Sequence, residues 1–187
     1  MSEMRIAMIT RRFWPLVGGA EMVMANLATE FQRLGAKPLL LTAQWDPIWP
    51  KYFTHRDFEV QRLPNPNRRG WGTFVYMDSL SRWLSKNRDS YDIAFVSMLK
   101  HSAYAAVTAC RKQRQSVVLR VEGGGNTGDC NWHKTARFGS RIRRRCKQAD
   151  AIIAPSKATH DELVDAQFPL NRIHHIPNGV ALTEKTR

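Results

Sequence analysis

Short apolar runs alternate with longer amphipathic stretches from the start of this chain almost to its end, and few folds accommodate that pattern. Residues 5–10, Arg-Ile-Ala-Met-Ile-Thr, read as a strand. After a loop, Val23, Met24, Leu27, Ala28, Phe31 and Leu34 fall on one helical face that closes on Gly35. Residues 37–42 are apolar nearly throughout, as a strand buried on both faces should be. Residues 45–53 are rich in proline and aromatics and are expected to form an ordered loop. Residues 58–63 alternate like a strand and stop at Pro64-Asn65-Pro66-Asn67. A helix is expected over 74–85, followed by strand 91–97, helix 102–113, strand 116–122, helix 134–146, strand 151–154, helix 157–166 and strand 172–176. Strands that alternate with helices of this length imply right-handed crossovers. The predicted fold is α/β, a Rossmann-like, doubly wound parallel sheet.

In such sheets, ligands sit at the carboxyl ends of the strands near the point where strand order reverses. Three loops therefore draw attention: residues 11–21, 98–102 and 122–132. The first contains Gly18-Gly19-Ala20-Glu21 at a helix start. Free N–H donors in a first helical turn favour an anionic or acceptor-rich ligand. The competing explanation is a turn that needs a positive φ, with Glu21 simply favouring the helix N-terminus. Arg11 and Arg12 would add positive potential at the mouth of the same loop.

Lys100-His101 places a cation and an imidazole where a phosphate or hydroxyl could be met, although a lone histidine is more often structural. Glu122 ends an apolar strand on the same rim. It could accept hydrogen bonds from sugar hydroxyls or act as a base, or it could pair with Arg120 or Lys100. Gly123 opens the run Gly-Gly-Gly-Asn-Thr-Gly, a literal match to G-x-G-x-x-G. That run follows the fifth strand rather than the first and lacks a suitably placed ribose-binding acid. A turn or sugar-contacting loop therefore fits better than a dinucleotide site.

The chain has 187 residues and a net charge of +13, from 29 Lys and Arg against 16 Asp and Glu. This excess calls for an anionic partner without naming it. Much of it lies in the stretch from Lys134 to Lys147, with Arg137, Arg141, Arg143, Arg144 and Arg145 between, while Phe138, Ile142, Cys146 and Ala149 fall on the opposite side. Such a helix can rest on an anionic membrane or can pack its apolar side on the sheet. Stacking aromatics are not interleaved with these arginines, so nucleic acid is the least favoured partner. Cys110, Cys130 and Cys146 have no C-x-x-C spacing, which fits reduced thiols and gives no support for zinc. The first apolar run, about seven residues, is too short for a signal sequence, and no stretch approaches the ~18 apolar residues of a membrane span. A cytoplasmic protein is expected, with peripheral contact at the inner membrane face if the basic helix serves as a foot.

Taken together, these segments resemble the N-terminal domain of a family 4 (group 1), retaining, GT-B-fold glycosyltransferase. Gly18-Gly19-Ala20-Glu21 matches G-G-x-E, and Leu27-Ala28 through Leu34-Gly35 is similar to the helix that follows. Tyr91-Asp92-Ile93 resembles the lead-in to the fourth strand. The run from Ala149 to Ser156 resembles "A-D-x-i-i-x-x-S", and Ile176-Pro177-Asn178-Gly179-Val180 matches "i-P-N-G-V".

The resemblance implies transfer of a sugar from a nucleotide-sugar donor to a glycan or lipid-linked acceptor, with retention, no metal and no further cofactor. It places Gly18 and Gly19 near the donor diphosphate and the acceptor. On it, Glu21, Lys100 and Gly123 become candidate substrate contacts, and His101 and Glu122 candidate catalytic groups. Many members carry a histidine where this chain has Glu122, so that role does not transfer, and whether Glu122 substitutes chemically is open. His101 lies several residues past the usual fourth-strand position. Residues 1–180 would be the acceptor-side domain and 181–187 the start of an interdomain linker. The donor-binding domain would then lie outside this chain, which alone is expected to be inactive. The alternative is a non-catalytic binding module that docks on anionic membrane or nucleic acid.

Overall fold

In the computed structural model, residues 3–67 and 71–179 are described. Residue Val180 of the P-N-G-V run and the expected linker 181–187 lie outside them. One sheet of eight strands forms the centre, in the order β3-β4-β2-β1-β5-β6-β7-β8. The strands are β1 Arg5–Ile9, β2 Lys37–Ala43, β3 Tyr52–His55, β4 Phe58–Leu63, β5 Ile93–Ser97, β6 Ser116–Arg120, β7 Ala151–Ala154 and β8 Ile173–His175. All pairings are parallel except β3 with β4. The helices are α1 Gly19–Arg33, α2 Trp71–Lys86, α3 His101–Gln113, α4 Asp129–Thr135, α5 Gly139–Cys146 and α6 Lys157–Asp165.

The two-residue period of β1 divides the core. Ile6 and Met8 face α1 through Met24, Ala25 and Ala28, beside Leu40, Phe58 and Val60. Ala7 and Ile9 face the larger cluster, which takes in Tyr76, Leu80 and Leu84 of α2 and the alanine-rich face of α3. Small residues at Ala103, Ala105, Ala106 and Ala109 let α3 lie close to the sheet and to α2. The three cysteines are buried and unpaired inside this core. Among the described residues, no helix is long and apolar enough to cross a membrane.

Three expectations are corrected. The stretch 45–53 is not wholly loop: Tyr52 and Phe53 start β3, whose antiparallel pairing with β4 caps the sheet edge. The signal was hidden because the proline- and tryptophan-rich run gives way to a strand only at its last two residues. Leu34 does not join the buried face of α1 and is 72% exposed, because the helix closes there. Gly35 at φ +82 takes the left-handed position, and the Ala36 N–H donates to the Phe31 carbonyl.

The third correction concerns the basic helix expected over 134–146, which is broken into α4 and α5 at residues 136–138. Ile142, Cys146 and Ala149 are buried as expected, but Phe138 sits at the break and is 43% exposed. The chain turns tightly here. A Cβ on Gly139 would run into the His133 carbonyl, so backbone meets backbone with no side chain to yield. Gly139→Ala is therefore expected to destabilise by about 2 kcal/mol. That is a melting-temperature drop of roughly 4–8 °C for a chain of this size. Gly19→Ala, whose Cβ meets nothing within 4 Å, should melt like the parent.

Candidate functional site

The strand order reverses at β1, which has β2 on one side and β5 on the other. Crossovers leaving β1 and β5 move apart and open a crevice at their carboxyl ends. The loops after β1, β5 and β6 border it, as expected. Met98, just past β5, holds φ +68, an uncommon conformation for a side-chain-bearing residue, while its N–H donates to the Arg120 carbonyl.

Arg11 lies on the β1 side of this crevice and is fixed from its backbone outward. Its carbonyl accepts from the Ala43 N–H at 3.2 Å, the Thr42 hydroxyl at 3.2 Å and the Trp45 indole at 2.9 Å. Its guanidinium lies over the Trp45 and Tyr76 rings, at 5.2 and 5.7 Å from their centroids. The Nη2 group donates to Asn65 and to Thr73 at 3.3 and 2.9 Å. Nε is buried without a partner. Burial lowers the Arg11 pKa from its ordinary value.

On the other side of the crevice, His101 begins α3 and meets the Trp132 ring edge-on at 5.2 Å. Burial, then Arg11 and Lys100, lower its pKa, so the imidazole is neutral at pH 7. The Lys100 ammonium lies 5.8 Å from the Trp132 centroid and 3.9 Å from Asp129 Oδ1. The two cationic residues after β1 and β5 therefore flank one crevice, with indoles on both sides.

Glu122 sits deeper. Its Oε2 is 2.5 Å from Arg120 Nη1, and its Oε1 accepts from the Ser97 hydroxyl at 2.8 Å. Arg120 also reaches Asn178 of the P-N-G run, which ties the strand-β6 rim to the end of the described chain. Burial raises the Glu122 pKa, and Arg120 opposes the rise. The sequence reading offered Arg120 as one pairing partner for Glu122, and the pair is present. Asp129, which the sequence reading did not single out as a site residue, is 2% exposed and accepts the Glu122 N–H at 3.1 Å.

The glycines divide by role. Neither Gly18 nor Gly19 holds a positive φ, so the turn explanation does not apply. A Cβ on Gly18 would come within 2.5 Å of Glu21 Oε2, because the buried Glu21 folds back beneath it, 3.8 Å from Arg12 Nε. Gly19 instead borders open space. In the Gly123 loop, the Gly125 N–H donates to Glu162 and the Gly128 N–H to the Gly125 carbonyl. A Cβ on Gly128 would strike the Gly123 carbonyl at 2.6 Å, so this glycine serves the loop's closure on itself. Among the described residues, no three His, Cys, Asp or Glu side chains are placed to share a metal ion.

His133, also not singled out from sequence, is buried under Phe168, and its Nε2 lies 2.6 Å from the Leu99 carbonyl. That contact requires the Nε2–H tautomer and leaves Nδ1 without a partner. Burial pulls its pKa down to about 4. A lowered histidine pKa means that the unfolded chain binds the extra proton, so this contribution is present above pH ~6.5 and is lost as pH falls towards 4. The slope is about 1.4 kcal/mol per pH unit in that window. The raised acids Glu122 and Asp129 act in the opposite sense. The difference between parent and His133→Gln denaturation curves, measured at several pH values, should therefore show the histidine slope alone.

Comparison with solved structures places this architecture. The chain superposes on sucrose-phosphate synthase from Thermosynechococcus elongatus with TM-score 0.69 and 14% identity, covering 94% of this chain and 48% of that one. It superposes on Anabaena HepE in complex with UDP-glucose with TM-score 0.68 and 16% identity, covering 95% and 44%. UDP-GlcNAc 2-epimerase from Neisseria meningitidis gives TM-score 0.61 and 16% identity, covering 94% and 47%. The chain thus spans about half the length of these proteins, and at such identities the likeness concerns fold: a Rossmann-like sheet of the kind that makes one half of a GT-B molecule. No curated protein matches the sequence at a significant level. The model for Glycosyltransferase Family 4 matches residues 17–184, nearly the whole chain, and the chain belongs to that family.

Proposed function

We propose that this chain is the acceptor-side domain of a retaining glycosyltransferase. In this reading, a sugar passes from a nucleotide-sugar donor to a glycan or lipid-linked acceptor in a cleft completed by a second, donor-binding domain. Residues 1–180 form the acceptor-side unit, 181–187 begin the linker, and the unit alone has no turnover. The observation that carries the reading is the crevice itself: Gly19 borders open space at the start of the helix after β1, and Arg11, Lys100 and His101 lie on the loops after β1 and β5 that border the strand-order reversal. The family match supports sugar transfer, and a UDP-glucose complex of the structurally similar HepE supports a nucleotide-sugar donor.

Within this reading, Gly18 keeps Glu21 folded under the helix start, and Gly19 leaves room for a substrate. His101, uncharged at neutral pH, is available as an acceptor of a proton or hydrogen bond. Glu122 acts chiefly by holding Arg120 and the β6 rim, since its oxygens face Arg120 and Ser97. Gly123 shapes the loop wall beside the acceptor.

The test uses the complete protein that carries this domain. Gly19→Trp should fold normally and reduce sugar transfer at least about a hundredfold, the scale expected when reacting groups are displaced by about an ångström. Transfer at the parental rate would remove the crevice from the mechanism.

A second reading concerns where the domain works. Around α5, Ser140, Arg141, Arg143, Arg144 and Lys147 line a cavity of about 320 Å³. With exposed Phe138 beside it, this face suits peripheral contact with anionic lipid. Replacing Arg143, Arg144 and Arg145 with alanine should weaken binding to phosphatidylglycerol liposomes, while Gly19→Trp leaves it intact. Unchanged liposome binding by the triple variant would rule out the membrane foot.

A further inference from the structure

We propose that Arg11, with Lys100 and His101 across the crevice, forms an anion subsite that takes a phosphate group carried by the acceptor. This rests on the acceptor-side reading above and narrows its substrate class.

Half-buried between two aromatic rings, Arg11 has no carboxylate within ion-pair distance among the described residues. Among the described residues its side-chain hydrogen bonds leave from Nη2 alone, and Nε is buried without a partner. Holding a guanidinium out of water with donors unspent is costly unless an anion completes it. Arg62 shows how this fold satisfies a purely structural arginine. It too lacks a carboxylate, but Nη1 and Nη2 donate to the Pro50 and Trp14 carbonyls at 2.5 and 2.7 Å, and Phe53 and Trp49 cover its plane. Arg11 has the aromatic cover, but its Nη2 meets only the Asn65 and Thr73 side chains and no backbone carbonyl among the described residues.

Position supplies the second part. Three donors on the Arg11 carbonyl leave its backbone no freedom, the rigidity a recognition residue needs. The residue stands at the strand-order reversal, where ligands of such sheets sit. Lys100 follows β5, and its ammonium, 31% exposed, is held only loosely by Asp129 at 3.9 Å, so it keeps donors for a further anion. A planar fork plus a point cation is the donor set that phosphate oxygens match.

The surroundings favour a phosphate attached to something larger. Trp45, Trp71 and Phe74 are 39%, 68% and 55% exposed on the loop and helix that hold Arg11 through Trp45 and Thr73. These apolar surfaces suit a sugar ring or a prenyl chain beside the phosphate. Two sources share this chemistry, a sugar phosphate and a lipid-linked diphosphate, and the donor's own diphosphate is the competitor.

The 187-residue chain can be titrated with inorganic phosphate, glucose 6-phosphate, farnesyl diphosphate, UDP-glucose and uncharged glucose. The readouts are the Arg11 Nε–H resonance by NMR and tryptophan fluorescence. Phosphate-bearing probes should shift the Arg11 resonance and glucose should not. Arg11→Gln should weaken phosphate binding about tenfold or more, while Arg11→Lys retains part of it. Tightest binding of glucose 6-phosphate assigns the phosphate to a sugar, and of farnesyl diphosphate to a lipid. Tightest binding of UDP-glucose through Arg11 overturns the acceptor assignment. No shift of the resonance, or equal affinity in Arg11→Gln, overturns the subsite. The resonance is read on the parent chain, so the test survives a variant that fails to fold. In the complete protein, unchanged transfer by Arg11→Gln would remove the subsite and leave the transferase reading standing. Phosphate binding at Arg11 in a protein without transferase activity would do the reverse.

Discussion

β1 is where the arrangement of this molecule is decided. Parallel pairing with β2 on one side and β5 on the other buries it from Ile6 to Ile9, and the crossovers leaving β1 for β2 and β5 for β6 run in opposite directions. The crevice follows from that single reversal. So does the burial pattern, because the strand's alternate residues must satisfy α1 on one face and the α2–α3 layer on the other. Arg11, Lys100, His101, Glu122 and Gly123 all lie within a few residues of the carboxyl end of β1, β5 or β6.

The crevice walls are held by two different kinds of polar contact. Behind the rim, Glu122, Arg120, Ser97, Asp129 and Asn178 form a network in which most charged or polar groups face a partner. Such a network is stiff and high in stakes, since removing one member strands another. At the rim itself, Arg11 and His101 are held by backbone and aromatic contacts with no acidic partner among the described residues, while Lys100 is paired with Asp129 at 3.9 Å. A stiff support behind a rim arginine without an acidic partner suits preorganised recognition.

Much of the fold was legible because strand and helix periods differ and the chain keeps to them. β1, β2, β4 and β6 are mostly apolar or alternating, and glycine or proline marks the ends of α1, β4 and β7. β3 was illegible because its four residues carry no period of their own and gain their structure from β4. The break before Gly139 was illegible for a related reason: it is imposed by a backbone contact with His133, which no local pattern records. At the site, the three loops followed from topology, and Lys100, His101 and Glu122 followed from their places on them. The pairing of Glu122 with Arg120 was open in the sequence because i, i+2 residues of a strand share a face without having to bond. Arg11 was visible only as charge. Its special standing comes from Asn65, Thr73, Trp45 and Tyr76, which are distant in sequence and meet it only in the fold.

The central claim, that substrate lies in the β1–β5 crevice, is tested most directly by amide hydrogen exchange on this chain with and without saturating phosphorylated sugar. The account predicts slowed exchange in residues 10–19, 98–103 and 122–130, with the α5 face unchanged. Protection confined to α5, or spread evenly over the sheet with none at these loops, would contradict it.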